Sequence, residues 1–147
     1  TIFACDRLSV DVPDYIRRCD LDELLRESDI VTLHVPFEPG PHHLIGRRQI
    51  LSMKPGAFLV NAARGGLVDE QALYDALTSG HLAGAAIDTY ESEPYRGPLS
   101  GLSQVVLTAH MGSYAKESRV QMEREAAQNL LMELTAAGVV PPQDARR

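Results

Sequence analysis

Short apolar runs alternate along the chain with segments whose apolar positions recur at helical spacing. Ile2 to Cys5 is the first run. Asp20-Leu21-Asp22-Glu23 opens a helix, with Asp20 as N-cap and Glu23 completing a capping box; Leu21, Leu24 and Leu25 supply its apolar face. Ile30-Val31-Thr32-Leu33-His34-Val35 is β-branched and nearly continuously apolar, the pattern of a strand buried on both faces, and Pro36 stops it. Phe37 to Leu44 reads as loop. A short helix is predicted from Arg47 to Met53, ended by Lys54-Pro55-Gly56, and Ala57–Asn61 is the next strand. Asp69 caps a helix running through Ala72, Leu73, Ala76 and Leu77, and Gly80 terminates it. Leu82–Ile87 and Val105–Thr108 are strands, separated by a Pro- and Gly-rich loop from Glu91 to Ser103. From Ala115 to Ala137 the pattern is helical, with Val120, Ala127, Leu130, Leu131 and Leu134 on one side. A polar tail over 139–147 is expected to be disordered.

Strands and helices in alternation, with apolar strands, predict a parallel α/β sheet. Ligands of such sheets bind beyond the carboxyl ends of the strands. Chemistry-bearing residues stand at those places: Asp6, Pro36, Asn61 to Arg64, Asp88 and His110. Composition changes this picture little. With 44% apolar and 23% charged residues in 147, the chain suits one globular domain. No apolar run reaches bilayer length, and nothing reads as a secretory signal. A formal charge of −6 argues against nonspecific nucleic-acid binding but not against a phosphate-bearing small molecule. Cys5 and Cys19 form neither a disulfide framework nor a metal spacing and read as buried or idle thiols of a reducing cytosol. There are no internal repeats.

Asp6, at the end of the first strand, is placed to accept hydrogen bonds from ribose hydroxyls; Arg7 beside it leaves the choice between NAD and NADP open. The expected partner, a G-x-G-x-x-G turn, is absent from the sequence. It should stand about 20 residues before the ribose acid, which places it ahead of residue 1. In Asn61-Ala62-Ala63-Arg64-Gly65-Gly66-Leu67-Val68-Asp69 a strand ends, an arginine follows, and two glycines permit a tight path into a capped helix. Arginine there is suited to gripping a carboxylate with its planar fork. Asp88, Glu91 and Glu93 form an acidic loop, and a carboxylate beside an imidazole raises its affinity for a proton. His110 ends the last strand before a glycine turn, as an acid/base would. Among the five histidines, His34 is expected to pack, His42 and His43 to lie in a loop and His81 beside Gly80. No metal site is expected.

Together, His34-Val35-Pro36, the Asn61–Asp69 run with Ala72-Leu73, Gly84-Ala85-Ala86-Ile87-Asp88 with Glu93-Pro94, and Thr108-Ala109-His110-Met111-Gly112 resemble the D-2-hydroxyacid dehydrogenase family. The resemblance runs from Asp6 to about Leu134. The run from His110 to Ser118 is most similar to phosphoglycerate-dehydrogenase-type members. Ala109 stands where the family usually has proline.

The resemblance implies a Rossmann-type doubly wound parallel sheet, incomplete because the first βα unit and the substrate domain are absent. Residues 1–113 would be the partial nucleotide-binding domain; 114–138 would be a long helix packing on it or returning toward the substrate domain. The strand order 3-2-1-4-5-6 would put the absent strand between Ile2–Cys5 and Ala57–Asn61, leaving two unpaired edges. By the same resemblance Arg64 binds the substrate carboxylate and carbonyl, His110 exchanges a proton with the carbonyl oxygen, and Glu93 pairs with His110. Asp6, Val35, Pro36, Ala62, Ala63, Arg64, Asp88, His110, Gly112 and Ser113 would line the cofactor, with Asp88 at the nicotinamide carboxamide. The implied protein is a cytoplasmic homodimer acting on a small 2-hydroxy or 2-oxo acid, with 3-phosphoglycerate a candidate. Lacking the glycine turn, this segment alone is expected to bind NAD poorly. The alternatives are a non-catalytic, nicotinamide-sensing corepressor-like module and an inactive fragment.

Overall fold

The computed structural model describes residues 1–8, 11–37, 43–112 and 114–141. The expectations for His42, for Ser113, for the middle of the Phe37–Leu44 loop and for the last six residues of the tail lie outside the described residues. The chain divides into two units, Thr1–His110 and Met111–Arg147.

The first unit holds two parallel sheets. Strand β1 (Ile2–Ala4) pairs with β2 (Ile16–Arg18). Strands β3 (Ile30–Leu33), β4 (Ala57–Asn61), β5 (Leu82–Ile87) and β6 (Val105–Leu107) follow one another in a second sheet, in chain order. Helices α1 (Leu21–Glu27), α2 (Arg47–Ser52) and α3 (Glu70–Thr78) connect them.

Local chemistry sets the helix boundaries. Asp20 accepts the amide of Glu23 at 2.7 Å, one half of the expected box; the Glu23 carboxylate itself engages Arg17 of β2. Asp69 accepts the amide of Ala72 at 2.8 Å. Beyond α3, Gly80 takes φ +74°, a left-handed conformation that favours glycine.

One face of the four-stranded sheet carries the core. Val31, Leu33, Ala57, Leu59, Leu82, Ala85 and Ile87 pack with Leu25 of α1, Ile50 of α2 and Leu73 and Leu77 of α3, all buried. The expectation of strands covered on both faces is corrected: Ile30 is 64% exposed, Phe58 46% and Val106 63%. The three helices share one core with the opposite face, so Ile30, Phe58 and Val106, which point the other way, meet solvent.

Two further corrections concern β-structure. The strand Ile16–Arg18 went unanticipated: it is three residues long, two of them arginines, and carries no apolar period. The expected gap beside Ala57–Asn61 is not there, because β4 is paired on one side by β3 and on the other by β5. Within the four-stranded sheet the open edges are those of β3 and β6. Strand β1 is not paired with β4; it belongs to the two-stranded sheet.

The second unit contains α4 (Lys116–Ala136), which has no buried residue. Its expected apolar side is exposed at Val120, Leu130 and Leu131. The helix ends at Gly138, φ +71°, where the amide of Val139 returns to the carbonyl of Leu134 at 2.9 Å.

Candidate active site

The register of the four-stranded sheet aligns its strand ends. Leu33 faces Asn61, Asn61 faces Ile87, and Ile87 faces Leu107. Because all four strands run in parallel, the residues after those positions emerge at one edge. That edge receives Val35 and Pro36, the Ala62–Arg64 turn, Asp88 and His110.

Asn61 shapes the arginine turn. It is 1% exposed, accepts the amide of Ala63 at 3.1 Å and donates to the carbonyl of Arg64 at 2.9 Å. The exposed Arg64 guanidinium donates to the carbonyl of Ala63 at 2.6 Å. The next residue, Gly65, presses on the neighbouring loop: a Cβ there would lie 1.9 Å from both the carbonyl carbon and the carbonyl oxygen of Tyr90.

Tyr90 joins the β5 and β6 ends. Its buried hydroxyl reaches the carbonyls of Thr108 at 2.7 Å and Ile87 at 3.0 Å, and its ring stacks on Tyr95 at 4.5 Å. Burial pushes the phenol above its ordinary range, with the charge of Asp88 adding to the effect, so it stays a neutral donor. The buried Asp88 accepts a hydrogen bond from the Thr108 hydroxyl.

Glu93 and His110 meet. Both carboxylate oxygens stand 3.1 Å from His110 Nδ1, and the amide of Tyr90 donates to Glu93 at 3.3 Å. The His110 hydrogen bond, then that amide, hold the Glu93 carboxyl below its ordinary range. His110 takes φ +51°, which non-glycine residues rarely adopt and which tends to mark functional turns. With Nδ1 engaged by Glu93, Nε2 is the ring nitrogen left for another partner.

A carboxyl held low in the folded chain stabilises it above its ordinary pKa and loses that contribution as pH falls through the lowered value. We therefore expect Glu93→Gln to be less stable than the wild type at neutral pH, with the two urea midpoints converging in acid. Equal gaps at both pH values would show that the pair adds no pH-linked stability.

Of the remaining anticipated residues, Asp6 is exposed and accepts the amide of Leu8 at 2.8 Å. Arg18 of β2 braces the same turn through the Leu8 carbonyl at 2.8 Å. Ala62 and Pro36 are exposed, Val35 and Ala63 half-buried; Gly112 belongs to the second unit. His34 does not pack as expected: it is exposed, its Nε2 3.0 Å from the Thr32 hydroxyl, because β3 ends before it. Cys5 is exposed and Cys19 partly buried. No group of three or more His, Cys, Asp or Glu side chains among the described residues could hold a metal ion, and no helix there is long and apolar enough to cross a membrane. Sequence reasoning placed Asn61 and Thr108 at the strand ends without their bracing roles, and missed Tyr90. The available signal for Tyr90 was an aromatic just after Asp88, in the loop that follows β5.

The family model for the D-isomer specific 2-hydroxyacid dehydrogenase NAD binding domain matches residues 2–112. A glyoxylate reductase from Thermococcus litoralis is 44% identical over 124 residues, covering 84% of this chain and 37% of the relative. A D-3-phosphoglycerate dehydrogenase from Methanocaldococcus jannaschii is 48% identical over 101 residues, or 68% of this chain and 19% of the relative. An acyclic imino acid reductase solved with NADPH and D-Arg superposes with a TM-score of 0.84 at 32% identity, covering 92% of this chain and 43% of that one. The chain thus spans well under half the length of the proteins it matches.

Proposed function

The chain belongs to the D-isomer specific 2-hydroxyacid dehydrogenases, and on that footing we propose that it supplies the nucleotide-side wall of an NAD(P)-dependent active site that interconverts a 2-oxo acid and a D-2-hydroxy acid. The observation that carries the reading is the Glu93–His110 pair at the strand-end edge, both carboxylate oxygens 3.1 Å from Nδ1.

The residues fit two ends of a dinucleotide. Asp6 follows β1 by two residues with an exposed carboxylate suited to a ribose diol, one oxygen anchored by the Leu8 amide. The buried Asp88, held by Thr108, suits the carboxamide of a nicotinamide, and Val35, Pro36, Ala62 and Ala63 would line its flanks. The sequence contains no G-x-G-x-x-G turn for the pyrophosphate, so the chain by itself should bind the cofactor weakly. Bound nicotinamide supplies or accepts the hydride.

This chain's own residues do the rest. Arg64 grips the substrate carboxylate by its planar fork and orients the carbonyl. His110 gives a proton from Nε2 to the carbonyl oxygen in reduction and takes it back in oxidation. Glu93 fixes the ring through Nδ1 and leaves Nε2 to face the substrate. In this reading the substrate is a small 2-oxo acid such as glyoxylate or a phosphorylated C3 acid, and α4 belongs to the link with a substrate domain.

The test joins this chain to a complete pyrophosphate cradle and substrate domain and follows NADH and NADPH absorbance with 2-oxo acids of graded size. Consumption that requires a 2-oxo acid supports the reading. Cofactor binding with no turnover on any of them would favour the non-catalytic alternative.

A further inference from the structure

Outside the Glu93–His110 pair, the first unit contains a second arrangement of ionisable groups that the proposed chemistry does not use. Glu70 opens α3, and Glu91 lies on the loop that carries Glu93. Each carboxylate accepts the other's backbone amide: the amide of Glu91 donates to Glu70 at 2.8 Å, and the amide of Glu70 donates to Glu91 at 3.3 Å. His43 stands on the same Glu91 carboxylate, Nε2 to Oε1 at 3.1 Å. Two acidic side chains facing each other repel, so something must outweigh that repulsion. The reciprocal amide bonds and the His43 contact do so.

The position of this clasp matters more than its strength. The Glu70 amide is an orphan donor of the first turn of α3, and its partner reaches across from another loop rather than from the helix's own cap. The clasp therefore fastens the loop after β5 to the segment after β4. It does so beside Gly65, where the backbones of those two segments already touch. One residue before Glu91, the amide of Tyr90 donates to Glu93; two residues after Glu91, Glu93 meets His110. Any drift of Glu91 away from α3 moves both ends of that connection.

We propose that Glu70 and Glu91 are positioning residues: their reciprocal carboxylate–amide clasp, braced by His43, holds the loop so that Glu93 meets His110 and the Arg64 turn keeps its place beside it. The inference rests on the reading of His110 as the proton carrier. Burial raises the Glu70 carboxyl above its ordinary range, with the Glu91 charge adding to this and the amide hydrogen bond and His43 opposing it. The clasp loses its charge-assisted character where Glu70 takes up a proton. The ionisable groups acting on Glu93 itself are His110 and Asp88, on the last strand end and on the loop's own start.

The test is carboxyl carbon NMR of Glu93 in the full 147-residue chain, titrated in the wild type and in Glu70→Ala, Glu70→Gln, Glu91→Ala and His110→Asn. With the clasp opened, Glu93 loses its hold on His110 and its titration midpoint rises toward the ordinary carboxylate range in Glu70→Ala and Glu91→Ala. Glu70→Gln keeps an oxygen acceptor for the Glu91 amide and restores the low midpoint. A role in stability alone would lower the melting temperature of the alanine variants without moving Glu93 in the folded chain. That outcome, with His110→Asn still raising the midpoint, overturns the clasp and leaves the pair standing. If His110→Asn itself leaves Glu93 unmoved, the reading of the pair falls instead. Should Glu70→Ala fail to fold, Glu91→Ala carries the same decision, because Glu91 lies on an exposed loop and not in the helix.

Discussion

Gly65→Ala is expected to destabilise the chain by about 3 kcal/mol or more, the upper range for overpacking a close contact. The new Cβ would lie 1.9 Å from the Tyr90 carbonyl and 2.6 Å from the Glu91 amide nitrogen. Those are backbone atoms, so no side chain can rotate out of the way. Relief requires parting the arginine turn from the loop that carries Glu93, which is the juxtaposition on which the site depends. Gly101→Ala is the control, because a Cβ at Gly101 meets nothing within 4 Å. Urea midpoints should fall sharply for the first variant and stay close to the wild type for the second. A Gly65→Ala chain that unfolds with the wild type would mean that the two segments separate at little cost.

His110→Asn carries the second large effect. In a polypeptide that turns over a 2-oxo acid, it should lower kcat about 10²–10⁴-fold, the usual contribution of a positioned acid/base, with a smaller change in KM. Asparagine is the informative replacement because His110 has φ +51°, and asparagine tolerates the left-handed region better than most residues. The turn is kept and the imidazole removed. A loss confined to KM would make His110 a substrate-binding residue and return the proton transfer to another group.

Much of this was legible in the amino-acid sequence, and the failures have physical causes. The four strands of the larger sheet and α1–α3 follow from apolar spacing, from the caps Asp20 and Asp69 and from Gly80 as a stop. Asp88 and His110 were legible because strand ends are where an α/β sheet binds ligands; the pairing of Glu93 with His110 was implied by the family resemblance, and the two side chains stand 3.1 Å apart. Strand β2 was not legible: its arginines offer no apolar alternation, and its identity comes from backbone pairing with β1. The bareness of the sheet face at Ile30, Phe58 and Val106 was not legible either. Apolar residues there read as buried, yet burial depends on what is placed against them. The misplaced gap beside Ala57–Asn61 follows from the missed β2: without it, Ile30–Leu33 is counted one place too early in the 3-2-1-4-5-6 order. The Glu70–Glu91 clasp could not be read from the sequence, since it depends on two backbone amides being turned toward carboxylates on different segments.

The central claim is that Arg64, Glu93 and His110 form one wall of a D-2-hydroxyacid dehydrogenase site. Its most direct test is the product formed from a 2-oxo acid with a side chain and NADH or NADPH, by a polypeptide in which this chain is joined to a complete cofactor cradle and substrate domain. The account predicts one D-2-hydroxy acid formed for each reduced cofactor consumed, with both lost together in His110→Asn. Formation of the L-acid, or turnover that survives His110→Asn at the wild-type rate, would contradict it.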